Sequence, residues 1–158
     1  MQNRQFILKS RPEFLAGPEN FELITSPVMP LKQGEARVAV EMVALSAWQG
    51  MRTKDFKNFI RPFNLGELID CDVFGKIIET KCSDLPEGAS VVGRLGWQDY
   101  AVIKPEQVSI VSDEYSAEEW LTALSSPCLL YTSPSPRDQR GSGLAASALK
   151  KKGGGGGG

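Results

Sequence analysis

The stretch Ala36–Leu45, ARVAVEMVAL, is the strongest sign of secondary structure in this chain of 158 residues. Apolar side chains alternate along it, and this period of two predicts a strand with one apolar face. The residues expected on that face are Val38, Val40, Met42 and Ala44. A second strand is predicted over Asp72–Thr80, DVFGKIIET, where Gly75 is typical of a bulge or of a close approach between two backbones.

Shorter stretches with strand character lie on both sides of these two, separated by Gly and Pro turns. They are Gln5–Lys9, Phe21–Thr25, Ala89–Val92, Gln98–Ile103 and Gln107–Val111. Many short strands between such turns predict a small β-barrel or sandwich. Residues 46–65 are less regular, and we interpret them as a functional loop with one helical turn. Ser116-Ala-Glu-Glu119 fits a capping box, which predicts the start of a helix.

The charge balance and the hydropathy pattern exclude two classes of partner. Residues 1–127 hold 13 Lys or Arg against 18 Asp or Glu, a net charge of −5. No basic stripe is left to neutralise phosphates, so we expect no nucleic-acid partner. The sequence has no apolar run of about 18 residues, and its start is not typical of a signal peptide. We therefore expect no membrane partner and a cytoplasmic location.

Histidine is absent and cysteine is sparse, which limits the available chemistry. Without histidine, His-based general bases, Ser–His and Cys–His nucleophiles and His-ligated metals are excluded. The cysteines Cys71, Cys82 and Cys128 are odd in number and widely spaced, so we expect no disulfide framework and no metal site. Asp70 and Asp72 flank Cys71 and could form a paired-carboxylate site, but a solvated turn is the simpler interpretation.

The composition changes abruptly near Pro127. Residues 128–158 are rich in Ser, Pro, Lys and Gly, and they end in three lysines and six glycines. Codons for Cys128–Asp138 can be chosen that spell a transposase sequencing adaptor, and the two homopolymers then correspond to poly-A and poly-G. We therefore expect residues 1–126 to be the biological domain and residues 127–158 to be a non-biological, disordered tail. A flexible linker is the alternative interpretation.

A series of short motifs runs along residues 3–127. It comprises Asn3-Arg4-Gln5, Arg11-Pro12-Glu13, Pro18-Glu19-Asn20-Phe21, Gly34-Glu35, Leu45-Ser46, Met51-Arg52, Gly66-Glu67, Gly75-Lys76 and Gly96-Trp97-Gln98-Asp99-Tyr100. In this order the motifs resemble the medium-chain dehydrogenase/reductase superfamily. The resemblance is to its zinc-independent branch of prostaglandin reductases, leukotriene hydroxydehydrogenases and alkenal double-bond reductases.

This resemblance implies a mainly β, GroES-like barrel with short helical segments, followed in relatives by a Rossmann α/β domain that binds NADP. It implies NADPH-dependent reduction of the carbon–carbon double bond of an enone or enal, and it allows a homodimer of the full-length parent. No Gly-x-Gly-x-x-Gly fingerprint follows a strand in this sequence. We therefore interpret the chain as an inactive, substrate-side N-terminal fragment that does not hold NADP by itself.

The loop Leu45-Ser-Ala-Trp-Gln-Gly-Met-Arg52 departs from the Leu-Ser-x-Asp-Pro-Tyr-Met-Arg of that branch. Gly50 stands where the branch has a tyrosine that is considered part of the active site, so no catalytic residue is assigned. The substrate-binding residues that the resemblance implies are Trp48, Gln49, Met51 and Arg52. The simpler alternatives are a local salt bridge for Arg52 and a plug of the barrel mouth for Trp48 and Met51.

Two other functions stay open at this point. A GroES-like module that binds a ligand without catalysis is compatible with the missing tyrosine at Gly50. A quinone-type NADPH oxidoreductase would differ from the enone reductase in substrate and not in cofactor. Fold alone does not decide among the three.

Overall fold

The computed structural model describes residues 1–55 and 61–124. The chain divides into two compact units, Met1–Leu121 and Thr122–Gly158, and the account below concerns the first. The predicted tail and the aromatic residues Phe56 and Phe59 of the predicted functional loop lie outside the described residues. The predicted boundary between residues 126 and 127 stays a prediction.

The described residues form mainly β structure with short helical segments, as the sequence predicts. The strands are β1 (Gln2–Leu8), β2 (Phe21–Pro27), β3 (Ala36–Ala44), β4 (Asp72–Thr80), β5 (Ser90–Arg94), β6 (Tyr100–Ile103) and β7 (Val108–Ile110). The α-helices are α1 (Ala47–Arg52) and α2 (Ala117–Leu124), and single 3₁₀ turns lie at Pro18–Asn20 and Pro105–Gln107. In this part of the chain no helix has the length and apolar character that a membrane crossing requires.

The strands form two antiparallel sheets. Strands β1 and β2 make a hairpin, and the other five pair in the order β6-β3-β4-β5-β7. Strand β1 also touches the larger sheet's loops through isolated bridges from Gln5 to Gln98 and from Ile7 to Leu68. Gln98 bridges to β1, and the N–H of Asp99 donates to the Arg4 carbonyl while its own carbonyl accepts from Val40 of β3. Regular pairing with β3 therefore begins at Tyr100, and β6 starts there and not at Gln98 as predicted.

The alternation along β3 does not continue to its end, and this corrects the predicted face. Val40 pairs with Gly75 and Met42 pairs with Phe74, so Glu41 is an extra residue without a partner on β4. Such a bulge reverses the side chains that follow it. Val38 and Val40 pack into one core cluster, whereas Met42 packs into a different one. Ala44 lies with Met42, so the prediction of a single shared face for these four residues is wrong.

Three apolar clusters hold the fold together. The largest lies within the five-stranded sheet and includes the fully buried Val38, Val73 and Val91. A second cluster under the hairpin contains Leu8 and Phe63, and Trp97 packs against both clusters. Removing side chains of this size from water contributes roughly 1.5–3 kcal/mol each. Trp97 therefore packs against both the hairpin and the larger sheet.

The last helix begins as its sequence indicates. The backbone N–H of Ser116 donates to Glu119 Oε2 at 2.8 Å, and the N–H of Glu119 donates back to Ser116 Oγ at 3.2 Å. This reciprocal pair is the predicted capping box, and it satisfies two amides that the helix leaves unpaired. Leu121 is buried against Phe74 and Val92, so α2 covers the face of the sheet to which the β3 bulge turns Met42.

Candidate functional site

The predicted functional loop begins with a short helix, α1, that is capped by side chains. Ser46 Oγ accepts a hydrogen bond from the N–H of Trp48 at 3.3 Å. Gln49 Oε1 accepts from both the backbone N–H and the hydroxyl of Ser46, each at 2.8 Å. A helix of six residues is too short to be stable by itself, so these caps and the contacts below fix its position.

Gln49 connects α1 to the start of β4. Its side chain is buried at 7% exposure, and Nε2 donates to the carbonyl oxygen of Asp70 at 3.2 Å. With Oε1 used in the cap, both ends of the amide have partners within the protein. The structure therefore places this predicted substrate-binding residue on the inner side of α1, where it holds the helix against the sheet.

Arg52 is also turned inward. Its Nη1 donates to Asp70 Oδ2 at 2.8 Å, and its Nε donates to the carbonyl oxygen of Arg61 at 3.0 Å. The guanidinium carbon lies 3.9 Å from the centroid of the Phe63 ring, which adds a cation–π contact. The side chain is 10% exposed. The local salt bridge, which the sequence left open as the simpler alternative, is formed.

Asp70 is shared by two cations. Besides Arg52, Arg94 Nε lies 3.2 Å from the same Oδ2 atom, and the Arg94 side chain is about half exposed. The two carboxylates flanking Cys71 thus have different surroundings, since Asp72 is on β4 opposite Arg94 and makes no ion pair with the described residues. Within residues 1–55 and 61–124, no three His, Cys, Asp or Glu side chains are close enough together to hold a metal ion.

Cys71 lies in the sheet interior and is fully buried. Burial raises the pKa of its thiol to about 12, and the negative charges of Asp70 and Asp72 act in the same direction. A thiol with this pKa stays protonated at neutral pH and is a poor nucleophile.

The outer side of α1 is apolar. Trp48 is 39% exposed and Met51 is 38% exposed, so both present apolar surface to solvent. Between them, a Cβ atom added at Gly50 would have no heavy atom within 4 Å. The four predicted substrate-binding residues therefore lie on one helix but divide into an outward pair and an inward pair.

A second anchor fixes the end of α1. The Thr53 hydroxyl donates to the carbonyl oxygen of Gly50 at 2.7 Å, and Arg11 Nη1 donates to the carbonyl oxygen of Thr53 at 3.0 Å. Sequence reasoning missed both Arg11 and Thr53 and the partnership of Asp70 with Arg52. No local pattern would reveal the contact of Arg11 with Thr53 or of Arg52 with Asp70, because these pairs lie 42 and 18 residues apart in the sequence.

The chain is similar to known oxidoreductases in both its family match and its individual relatives. The family described as the N-terminal domain of oxidoreductase matches residues 4–111. The NADPH-dependent curcumin reductase of Escherichia coli (strain K12) is 25% identical over 119 residues, which are 75% of this chain and 34% of that protein. Prostaglandin reductase 1 of Rattus norvegicus is 26% identical over 102 residues, covering 65% of this chain and 29% of that protein.

The solved structures agree with the sequence relatives. CurA of Vibrio vulnificus in complex with NADPH superimposes with a TM-score of 0.71 at 25% identity, covering 78% of this chain and 37% of CurA. The chain thus spans about a third of the length of the curated relatives that it matches. The mainly β, GroES-like fold and the resemblance to medium-chain reductases are confirmed.

Proposed function

The chain belongs to the family of oxidoreductase N-terminal domains, and from that premise we propose that it forms the substrate-side part of an NADPH-dependent reductase. The proposed reaction is reduction of a carbon–carbon double bond conjugated to a carbonyl. The names of two relatives, a curcumin reductase and a prostaglandin reductase, support this substrate class. In such a reaction bound NADPH would supply the hydride and solvent would supply the proton that completes the reduction, and the protein would have to stabilise negative charge on the carbonyl oxygen.

The observation that carries the proposal is the two-sided construction of α1. Gln49 and Arg52 attach the inner side to Asp70, while Trp48 and Met51 present apolar surface on the outer side. Apolar surface on a well-fixed element is suited to orienting an apolar substrate. We therefore assign substrate contact to Trp48 and Met51, and we assign to Gln49 and Arg52 the positioning of the helix.

The described residues do not fit the phosphates of NADPH. A phosphate cradle needs a Gly-rich turn that leads from a strand into a helix. The glycines with positive φ among the described residues all lie in turns that lead to extended segments; they are Gly34, Gly66, Gly88 and Gly96. We propose that the cofactor is held by a separate nucleotide-binding domain, and no step of the reaction is assigned to these residues through it.

A chimera tests the proposed function. Residues 1–124 would be joined to the part of Escherichia coli curcumin reductase that lies beyond the matched region, and NADPH oxidation would be followed with enones and with their saturated ketones. We expect turnover of the enones alone. Met51→Ala should raise KM, and its effect on kcat should be smaller. The matched control Met29→Ala, at another exposed methionine, should leave both KM and kcat unchanged.

A non-catalytic binding module is the second candidate. It is favoured by Gly50, which has no side chain to donate a hydrogen bond, and by the full engagement of the Gln49 amide in fold contacts. A chimera that folds, binds NADPH and binds enones without reducing them would support this candidate and contradict the reductase.

A further inference from the structure

A cavity on the side of the hairpin has no role in the proposed reaction. Its volume is about 320 Å³, and no residue of α1 contributes to it. This volume is within the range of small-molecule sites, which begin at about 300 Å³. The lining residues come from β1 and β2, from β3 and from the turn before β6; they are Arg4, Phe6, Leu23, Val40, Glu41, Met42, Val43, Trp97, Gln98 and Asp99.

The bulge in β3 builds one wall of this cavity. Four consecutive residues, Val40 to Val43, line it. They surround the bulge at Glu41, which leaves Val40 and Val43 on one face of the strand and Met42 on the other. Bulges of this kind commonly re-aim a side chain toward a site.

Two aromatic side chains also line the cavity. The rings of Phe6 and Trp97 stack with centroids 4.2 Å apart and an interplanar angle of 28°. Leu23, which is half exposed, extends this apolar surface. An aromatic surface attracts organic cations through its ring quadrupole, and tryptophan does so best.

The charges around the cavity leave one carboxylate uncompensated. Arg4 and Asp99 form a bidentate ion pair, in which Nε donates to Oδ2 at 2.7 Å and Nη2 donates to Oδ1 at 3.2 Å. The hydrogen bond from Arg4 lowers the pKa of Asp99, so that pair stays ionised and neutral overall at pH 7. Glu41 is exposed, and within residues 1–55 and 61–124 its carboxylate makes no hydrogen bond or ion pair.

We propose that this cavity binds a small organic cation, an ammonium group on an apolar or aromatic body. Glu41 balances its charge, and the Phe6–Trp97 pair contacts its apolar part. An anion is disfavoured because the unpaired charge in the cavity is negative. The proposal is independent of the reductase function, because it uses a different cavity and different residues.

Titration of the whole chain with benzyltrimethylammonium tests the proposal, followed by calorimetry and by the amide and indole NMR signals. We expect saturable binding with shifts at Glu41 and Trp97. Neopentylbenzene, the neutral carbon analogue, should bind about tenfold more weakly, because it lacks both the ion pair and the cation–π attraction. Benzoate should not bind. Affinity should fall as salt is added.

Two variants locate the site. Glu41→Gln keeps the shape of the side chain and should weaken binding about threefold, as expected for an exposed ion pair. Glu106→Gln, the same change at an exposed glutamate outside the cavity, should have no effect. Phe6→Leu should weaken binding while the NMR spectrum shows a folded protein. Equal binding of the neutral analogue, an unchanged affinity in Glu41→Gln, or shifts elsewhere in the chain would each overturn the proposal.

Discussion

Two glycines show how differently the sheet and the α1 helix are constrained. At Gly75, in the middle of β4, an added Cβ would lie 2.7 Å from Val38 Cγ1 and closer still to the Ala39 carbonyl oxygen. At Gly50, in α1, an added Cβ would have no neighbour within 4 Å. Neither glycine has a positive φ, so the difference is one of space and not of backbone conformation.

This difference separates what the fold requires from what the site tolerates. In the sheet, packing at interior density leaves no room for one more carbon atom. On the outer side of α1, a Cβ added at Gly50 meets no atom, so we expect the fold to tolerate a side chain there. The inner side of the same helix is constrained as the sheet interior is, because Gln49 and Arg52 both make hydrogen bonds to Asp70 there.

The largest expected effect concerns chemical access to the sheet interior. Because its pKa is about 12, Cys71 should have a thiolate fraction on the order of a thousandfold below that of an ordinary cysteine. We expect iodoacetamide to label Cys82, which is partly exposed, and to leave Cys71 unlabelled when peptides are mapped by mass spectrometry. In urea both should react alike. Equal labelling of Cys71 and Cys82 in the native chain would show that the sheet around Cys71 opens to the reagent.

Gly75→Ala tests the sheet side of the comparison. The new methyl group must displace the backbone of β3, so we expect a loss of about 3 kcal/mol in the free energy of unfolding. Urea denaturation followed by circular dichroism measures it. A loss under about 0.5 kcal/mol would mean that β3 and β4 separate easily and that the contrast with Gly50 does not hold.

Asp70→Asn tests the junction between the two regions. The change leaves the 10% exposed guanidinium of Arg52 without its carboxylate, and we expect a loss of about 2 kcal/mol. Asp84→Asn, at an exposed turn, is the matched control and should have little effect. If both variants unfold at the same urea concentration, Asp70 does not hold α1 to the sheet.

Gly50→Ala has the smallest expected effect and the opposite sign. Alanine favours helix over glycine by about 0.8 kcal/mol, and no atom obstructs the methyl group. We expect the variant to be more stable by up to this amount in the same urea experiment. A destabilised variant would indicate that the space beside Gly50 is needed by the fold.

Much of the fold could be predicted because its signals are local. Strand β4 begins and ends at the predicted residues, and β3 differs from its prediction by one residue at its end. Alternating apolar residues and Gly or Pro turns depend on neighbours along the chain. The capping box at Ser116 is likewise a pattern within four residues, and it formed as predicted.

The candidate site was predicted less well. The sequence assigned Trp48, Gln49, Met51 and Arg52 to one loop with a helical turn, and the structure has all four on α1, while their contact with substrate stays a prediction. It did not show that Gln49 and Arg52 point inward, because their partner Asp70 lies on another element. A helix of six residues is too short for its apolar period to reveal which side is buried.

The sequence by itself therefore determined approximately where the strands and helices lie, and it indicated that Gly75 marks either a bulge or a close approach of two backbones. Tertiary structure alone decided the reversal of faces after Val40, the shielding of Cys71 and the partners of Arg52. The physical reason is the separation along the sequence over which each interaction acts. Periodicity and capping act over a few residues, whereas a contact such as Asn3 with Gln98, 95 residues away, depends on the path by which the chain returns.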